Sequence, residues 1–204
     1  MATAALILLA LVLAWAVLYY VHWVLVRRRF VAISPGRVYQ SGAMSPPRLI
    51  RCARRHSIDT IIDFRGAHEE VVQEEARALA ASGIRHVNIP IGRLPTPADL
   101  VLFTQVMSAE LAAGRKVLLH CKDGEGRAVA LAAIYRIQFE GWSPLRAYRA
   151  ATRLPPGFRL ITVLIPFAGL LSRRNTKTQL ILDYRPTPPG GAGGSEQPVS
   201  EVQA

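Results

Sequence analysis

Apolar and polar positions divide the chain into three stretches. Residues 2–26 are predominantly apolar and contain no Lys, Arg, Asp or Glu. At about 1.5 Å per residue, a helix of that length crosses a hydrocarbon core of about 30 Å with some tilt. From residue 30 onward, short apolar runs alternate with longer amphipathic ones. Residues 30–42 read as a strand pair around Pro35-Gly36. Ser45-Pro46-Pro47 opens a helix to about residue 56, with Ser as cap and Pro tolerated in the first turn. Residues 58–64 read as a buried strand, 69–82 as a helix closed by Gly83, and 84–91 as a further strand. Pro95-Thr96-Pro97 leads into a helix over 98–113 closed by Gly114. Residues 117–119 form the next strand and 128–139 the next helix. Gly141-Trp142-Ser143-Pro144 opens one more helix, to about residue 152. Strands alternating with helices predict an α/β fold: a mainly parallel central sheet flanked by helices, preceded by one transmembrane helix.

The same pattern sets the expected organisation: an anchor with a basic stop over 1–29, a domain over 30–175 and a flexible polar tail over 176–204. From about Pro186 the tail is Pro/Gly/Ser-rich and lacks apolar clusters. Residues 160–171 form a second apolar stretch between Arg159 and Arg173-Arg174. It is too short to span a bilayer. Two readings stay open: a core segment of the domain, or an interfacial segment whose arginines meet anionic headgroups.

Charge narrows the partners. The chain of 204 residues carries a formal net charge of +11. Such a basic balance suits nucleic acid, an anionic membrane surface or phosphorylated substrates. There is no aromatic-interleaved RNA motif, zinc-finger spacing or long Lys/Arg tract, so nucleic acid is not an expected partner. Tyr19, Tyr20 and Trp23 lie near the end of the apolar run, where an aromatic belt belongs, and Arg27-Arg28-Arg29 follow at once. This bias predicts a single-pass membrane protein with its domain on the cytoplasmic side. A cleaved signal peptide fits less well, because the start is uncharged and the apolar stretch long. The sequence leaves the oligomeric state open.

The chemistry concentrates in His-Cys-Lys-Asp-Gly-Glu-Gly-Arg-Ala, from His120 to Ala128. A strand-like run precedes it and a helix-like run follows. A loop that opens a helix offers free backbone N–H groups and the positive end of the dipole to an anion. Cys121 is the candidate nucleophile, since helix N-termini and nearby cations favour the thiolate. Arg127, six residues on, is placed to clamp phosphate oxygens with two parallel bonds. Gly124 and Gly126 let the backbone turn tightly, so that the N–H groups of 122–127 form an anion nest. Lys122 adds charge at the rim, and His120 is positioned to order the loop. Lys122, Asp123, Gly124, Glu125, Gly126 and Arg127 are therefore the expected substrate-binding residues. The alternative for Cys121 alone is a small buried hydrophobe. Two cysteines, Cys52 and Cys121, give no disulfide framework and no metal-ligand spacing. The reaction expected here needs no metal or cofactor.

His-Cys-x-x-Gly-x-x-Arg resembles the active-site loop of the cysteine-dependent protein tyrosine phosphatase superfamily, in its dual-specificity branch. The fuller form, His-Cys-Lys-x-Gly-x-Gly-Arg, is similar to the loops of phosphoinositide 3-phosphatases and related bacterial dual-specificity enzymes. Val38-Tyr39-Gln40-Ser41-Gly42 resembles the opening segment of those bacterial enzymes, and Ile61-Ile62-Asp63-Phe64-Arg65-Gly66 their second-strand motif. The resemblance covers about residues 36–152. It implies Cys121 as nucleophile, Arg127 as phosphate clamp and His120 as the loop-ordering residue.

Two departures stand out. Loops of this family usually follow the arginine with Ser or Thr, whose hydroxyl helps the thiolate leave; here Ala128 stands there, which implies a slow second step. The family commonly takes its general acid from the loop after the strand equivalent to 87–91. That loop holds only Asp99, at a place where a helix's first turn favours an acid in any case. Asp123 is the other candidate, within the loop itself, and is favoured on reach to the leaving oxygen; myotubularin-type loops have Asp at the same place. Glu125 opposes a phosphate unless it turns out to a basic neighbour. Asp63 and Arg65 read as an ion pair bracing the sheet. Arg48, Arg51 and Arg55 share one face of the 46–56 helix, a solvated charged face or a headgroup-facing patch. Cys52, on that helix, is either an ordinary half-buried thiol or a reversible disulfide partner of Cys121.

The leading expectation is a membrane-anchored phosphatase acting through a phosphocysteine on phosphoprotein (phosphotyrosine, phosphoserine or phosphothreonine). Phosphoinositide or other phospholipid phosphate is the alternative substrate. Ala128 and the sparse acid motivate a second class, a pseudophosphatase that binds phosphoprotein without turnover. A sulfur-transfer or arsenate-reducing thiol enzyme is the third.

Overall fold

The structure is a computed structural model that describes residues 2–151 and 176–186. It opens with α1 (Ala2–Val21), continued by a π-helical turn, His22–Val26. The stretch Thr3–Val26 has a mean hydropathy of 2.5 and, among the described residues, is the one helix long and apolar enough to cross a membrane. The domain then runs β1 (Val31–Ser34), β2 (Val38–Gly42), α2 (Pro46–His56), β3 (Thr60–Asp63), α3 (Glu70–Ala80), β4 (Arg85–Asn88), α4 (Pro97–Ala112), β5 (Val117–Cys121), α5 (Arg127–Glu140) and α6 (Pro144–Ala150).

The five strands form one sheet in the order β1-β2-β5-β3-β4. β1 and β2 are the antiparallel pair around the Pro35-Gly36 turn, while β2, β5, β3 and β4 pair in parallel. β5 lies at the centre and is buried on both faces, which is why it opens on the apolar run Val117-Leu118-Leu119. Its side chains alternate. Val117, Leu119 and Cys121 join Val38, Ile62, Phe103, Met107 and Leu131 under α4 and α5, and Leu118 joins Tyr39, Leu49, Ala53, Ile61 and Leu79 under α2 and α3. Each large aliphatic side chain so buried contributes about 1.5–3 kcal/mol.

α5 is covered on both sides, since Ala130, Ala133 and Ile137 pack against Ala147 of α6 and Ile181. Ile181 belongs to α7 (Thr176–Asp183), a helix within the expected flexible tail. The Tyr184 hydroxyl after it donates to Gln138 at 2.8 Å. Leu180, Ile181 and Tyr184 give this short stretch the apolar side that the Pro/Gly-rich residues beyond it lack. The 160–171 stretch lies outside the described residues.

Candidate active site

The loop from Lys122 to Gly126 leaves the C-terminal end of the central strand and feeds the N-terminus of α5. In a parallel sheet this is the edge where ligands bind. Cys121, 3% exposed, sits at the last position of β5, level with Gly42 of β2.

Three successive carbonyls of the loop are held from outside. Lys122 O accepts from Ala43 N at 3.1 Å, Asp123 O from Arg29 Nη1 at 2.8 Å, and Gly124 O from Gln40 Nε2 at 3.2 Å. In a trans peptide the N–H points opposite to the carbonyl, so the N–H groups of Asp123, Gly124 and Glu125 are turned to the other side. Gly124 makes this possible with φ +70, and a Cβ there would stand 2.6 Å from the Gly42 nitrogen. At the helix start Gly126 O accepts the first α5 bond, from Ala130 N at 2.9 Å. The N–H groups of the first turn are thus added to those of the loop. The loop and the first turn of α5 thus offer main-chain donors of the kind that bind an anion at a helix N-terminus.

Arg127 is the first residue of α5. Its Nη1 donates to Phe64 O at 2.6 Å and Ile91 O at 2.9 Å, the residues just past β3 and β4. These bonds fix the guanidinium plane through one nitrogen. The Nε–Nη2 edge is the fork suited to two oxygens of a tetrahedral anion. Ala128 follows, fully buried. Lys122 and Asp123 are exposed at the rim. Asp99 closes a capping box: its Oδ2 accepts from Thr96 N at 2.8 Å, and its N–H donates to Thr96 Oγ1 at 3.2 Å.

Beneath the loop lies a buried charge network. Arg65 donates to Asp63 through Nε at 3.0 Å and Nη2 at 2.8 Å, and to Glu75 through Nη2 at 2.7 Å. His120 Nε2 stands 2.9 Å from Glu75 Oε1 and 3.8 Å from Asp63 Oδ1. His86 Nε2 is 3.7–3.8 Å from the same two carboxylates. Burial works to raise the Asp63 pKa, but His86, the charge of His120 and the Arg65 fork outweigh it and hold the carboxyl well below the usual range. Asp63, Glu75 and His86 bring metal-type donor atoms within 4.8 Å of one another, but the Arg65 guanidinium already bridges the two carboxylates as their cation. The ring of His120 therefore faces Glu75 of α3 and not the loop, and among the described residues neither of its nitrogens makes the hydrogen bond to the loop that the sequence led us to expect.

Several of these residues did not stand out in the sequence. Glu75 sits on the buried stripe Val72, Glu75, Leu79 of α3, and an acid inside an apolar stripe was the available signal. Arg29 gave no such signal: instead of meeting headgroups, it ion-pairs with Glu125, and Arg28 Nε donates to Ala43 O at 2.8 Å. Cys52 lies on α2, which covers the face of the sheet opposite to the side chain of Cys121. Burial raises the Cys52 pKa against the opposing pull of Arg48, Arg55 and Arg27.

A family model described as DSP-PTPase phosphatase fused to NAD+ Kinase matches residues 50–154. Among curated proteins, the human phosphatidylglycerophosphatase and protein-tyrosine phosphatase 1 is 28% identical over 108 residues, covering 51% of this chain and 54% of that protein. The dual specificity protein phosphatase TpbA of Pseudomonas aeruginosa is 30% identical over 122 residues, covering 57% of this chain and 50% of that protein. The chain spans about half the length of these curated relatives. The crystal structure of the core catalytic domain of the S. cerevisiae PP-IP phosphatase SIW14 in complex with citrate is similar in fold, with a TM-score of 0.55 at 20% identity over 76% of this chain and 85% of that one.

Proposed function

Since this chain belongs to the DSP-PTPase phosphatase family, we propose that it is a membrane-anchored hydrolase of phosphate monoesters that works through a phosphocysteine. The observation that supports this reading is the set of outward-held carbonyls at Lys122, Asp123 and Gly124, which leaves the loop's N–H groups on the opposite side, free to receive an anion beside Cys121.

In the first step the Cys121 thiolate attacks phosphorus in line, forming an S–P bond as the P–O bond to the leaving group breaks. The Arg127 fork and the loop N–H groups stabilise the equatorial oxygens. Asp123, exposed at the rim, protonates the leaving oxygen. Water then cleaves the S–P bond, releasing inorganic phosphate and restoring the thiolate. Ala128 supplies no hydroxyl to assist that second departure.

The proposed substrate is a phosphoprotein, carrying phosphotyrosine, phosphoserine or phosphothreonine, met at the cytoplasmic membrane surface. A second reading, a phospholipid phosphate, is favoured by Arg29: by pairing with Glu125 it removes the loop charge that would repel a strongly anionic headgroup. The human relative's name carries both activities, and the Pseudomonas relative's name the first.

The test is hydrolysis of para-nitrophenyl phosphate by the full chain in detergent, with Cys121→Ser as control. Equal rates for both proteins would remove the enzyme reading and leave a pseudophosphatase. Phosphopeptides and vesicles containing phosphatidylglycerophosphate or phosphoinositides, run side by side, then separate the two substrate classes.

A further inference from the structure

Arg28 and Arg29 lie where a basic stop would face headgroups, yet the structure turns both into the domain. Each has a positive φ, 48 and 55. Non-glycine residues hold such a conformation only where the surroundings enforce it. Here they do. Gly42 N donates to Arg28 O at 2.7 Å, and Arg29 N donates to Trp23 O at 3.0 Å. Trp23, 2% exposed, has the Arg29 guanidinium 6.0 Å from its ring centroid. The Arg29 side chain is itself only 13% exposed. Its two nitrogens reach the phosphate loop at Asp123 O and at the Glu125 carboxylate.

We propose that Arg29 is a positioning residue of the phosphate loop, so that the catalytic unit begins at Trp23, inside the end of the apolar helix. It does two things. Its bond to Asp123 O fixes the Asp123–Gly124 peptide, whose N–H is thereby aimed at the anion. Its pairing with Glu125 cancels a carboxylate carried by the loop that must bind a dianion. The end of the membrane helix and the anion site are joined by one side chain.

This inference rests on the loop's being an anion site, as proposed above, and a binding measurement keeps the two apart. Tungstate, an inert phosphate mimic, is titrated calorimetrically into the full chain in detergent, alongside KM and kcat for para-nitrophenyl phosphate. Arg29→Ala is expected to weaken tungstate binding and raise KM by about tenfold, the scale of one lost charge-assisted bond. Glu125→Gln is expected to tighten tungstate binding. The tightening by Glu125→Gln is expected to be severalfold greater in the Arg29→Ala background than in the wild-type chain, a coupling that a merely structural arginine would not give. Tungstate binding by Arg29→Ala within twofold of wild type, or an effect of Glu125→Gln that is equal in the two backgrounds, overturns the proposal. A wild-type chain that binds tungstate but hydrolyses nothing overturns the phosphatase reading and leaves this one standing.

Discussion

Gly124 rests on the backbone of Gly42: a Cβ on Gly124 would stand 2.6 Å from the Gly42 nitrogen, and one on Gly42 3.0 Å from the Asp123 carbonyl carbon. The turn of this loop and the end of β2 are therefore in direct main-chain contact: Gly124 leaves no room for a side chain, and one on Gly42 would require the loop to give by a few tenths of an ångström. Gly124 adds a φ of +70, which disfavours any L residue. Gly124→Ala is expected to shift the loop N–H groups by a few tenths of an ångström or more. It should lower kcat/KM for para-nitrophenyl phosphate by about a hundredfold, the cost of misplacing reacting groups by about 1 Å. Circular dichroism separates this from unfolding, since the rest of the sheet does not depend on that turn.

The network under the loop makes stability depend on pH. Asp63 is fully buried with its pKa held low, so the charged form is favoured by folding. Its contribution is fully present above the unfolded value of about 3.9 and is lost as pH falls below it. Glu110, buried and held by Thr60 and Arg115 against the upward effect of burial, acts in the same direction. The urea midpoint of the full chain should fall between about pH 5 and about pH 3. Asp63→Asn should flatten that fall and cost about 3–5 kcal/mol near neutrality, because Arg65 loses its fork. An unchanged pH slope in Asp63→Asn would show that the low pKa is not coupled to folding.

How much of this was legible in the sequence depends on the range of the interaction. The fold was legible because strand and helix periods, Pro-Gly turns and closing glycines are local signals, and every element from β1 to α6 lies where they put it, within a few residues at its ends. The placing of Cys121, Gly124 and Arg127 at a strand end, a tight turn and a helix start was legible because that loop is built from consecutive residues. What the sequence hid is contact at long separation. Arg29 meets a loop 94 and 96 residues away, and Arg127 braces carbonyls 63 and 36 residues away. Arg27-Arg28-Arg29 carried a stronger local meaning, the end of a membrane helix, and that masked the tertiary one. α7 was hidden because its apolar residues are few and matter only once α5 and α6 are in place.

The proton donor is open to a direct test. Both main-chain and side-chain bonds of Asp99 go to Thr96, which explains an acid in that first turn without any part in catalysis. Asp99→Ala should cost about 1 kcal/mol of stability, the usual effect of losing a cap. Asp123→Asn should lower kcat/KM for a substrate with a poor leaving group, such as a phosphoserine peptide, by about a hundredfold. It should spare para-nitrophenyl phosphate, whose leaving group needs little protonation. If Asp99→Asn instead removes the basic limb of the pH–rate profile, the acid is Asp99, and the loop after β4 must move to deliver it.

Ala128 sets the expected rate-limiting step. It is fully buried directly after the clamp arginine, at the place where related loops carry a hydroxyl. In the mechanism proposed above, formation of the phosphocysteine draws on Arg127 and the loop N–H groups. Its hydrolysis needs the thiolate stabilised as it leaves, and there the hydroxyl is missing. The first step should therefore outrun the second, so rapid-quench kinetics should show a burst of nitrophenol approaching one equivalent per Cys121, followed by slow turnover. Ala128→Ser adds one oxygen within the first turn of α5. It should raise the steady-state rate by about tenfold, below the hundredfold or more of a fully built oxyanion donor, and leave the burst rate unchanged. A wild-type chain without a burst would place the slow step at or before phosphocysteine formation, and a steady-state rate in Ala128→Ser no higher than in the wild-type chain would release Ala128 from any part in the slow step.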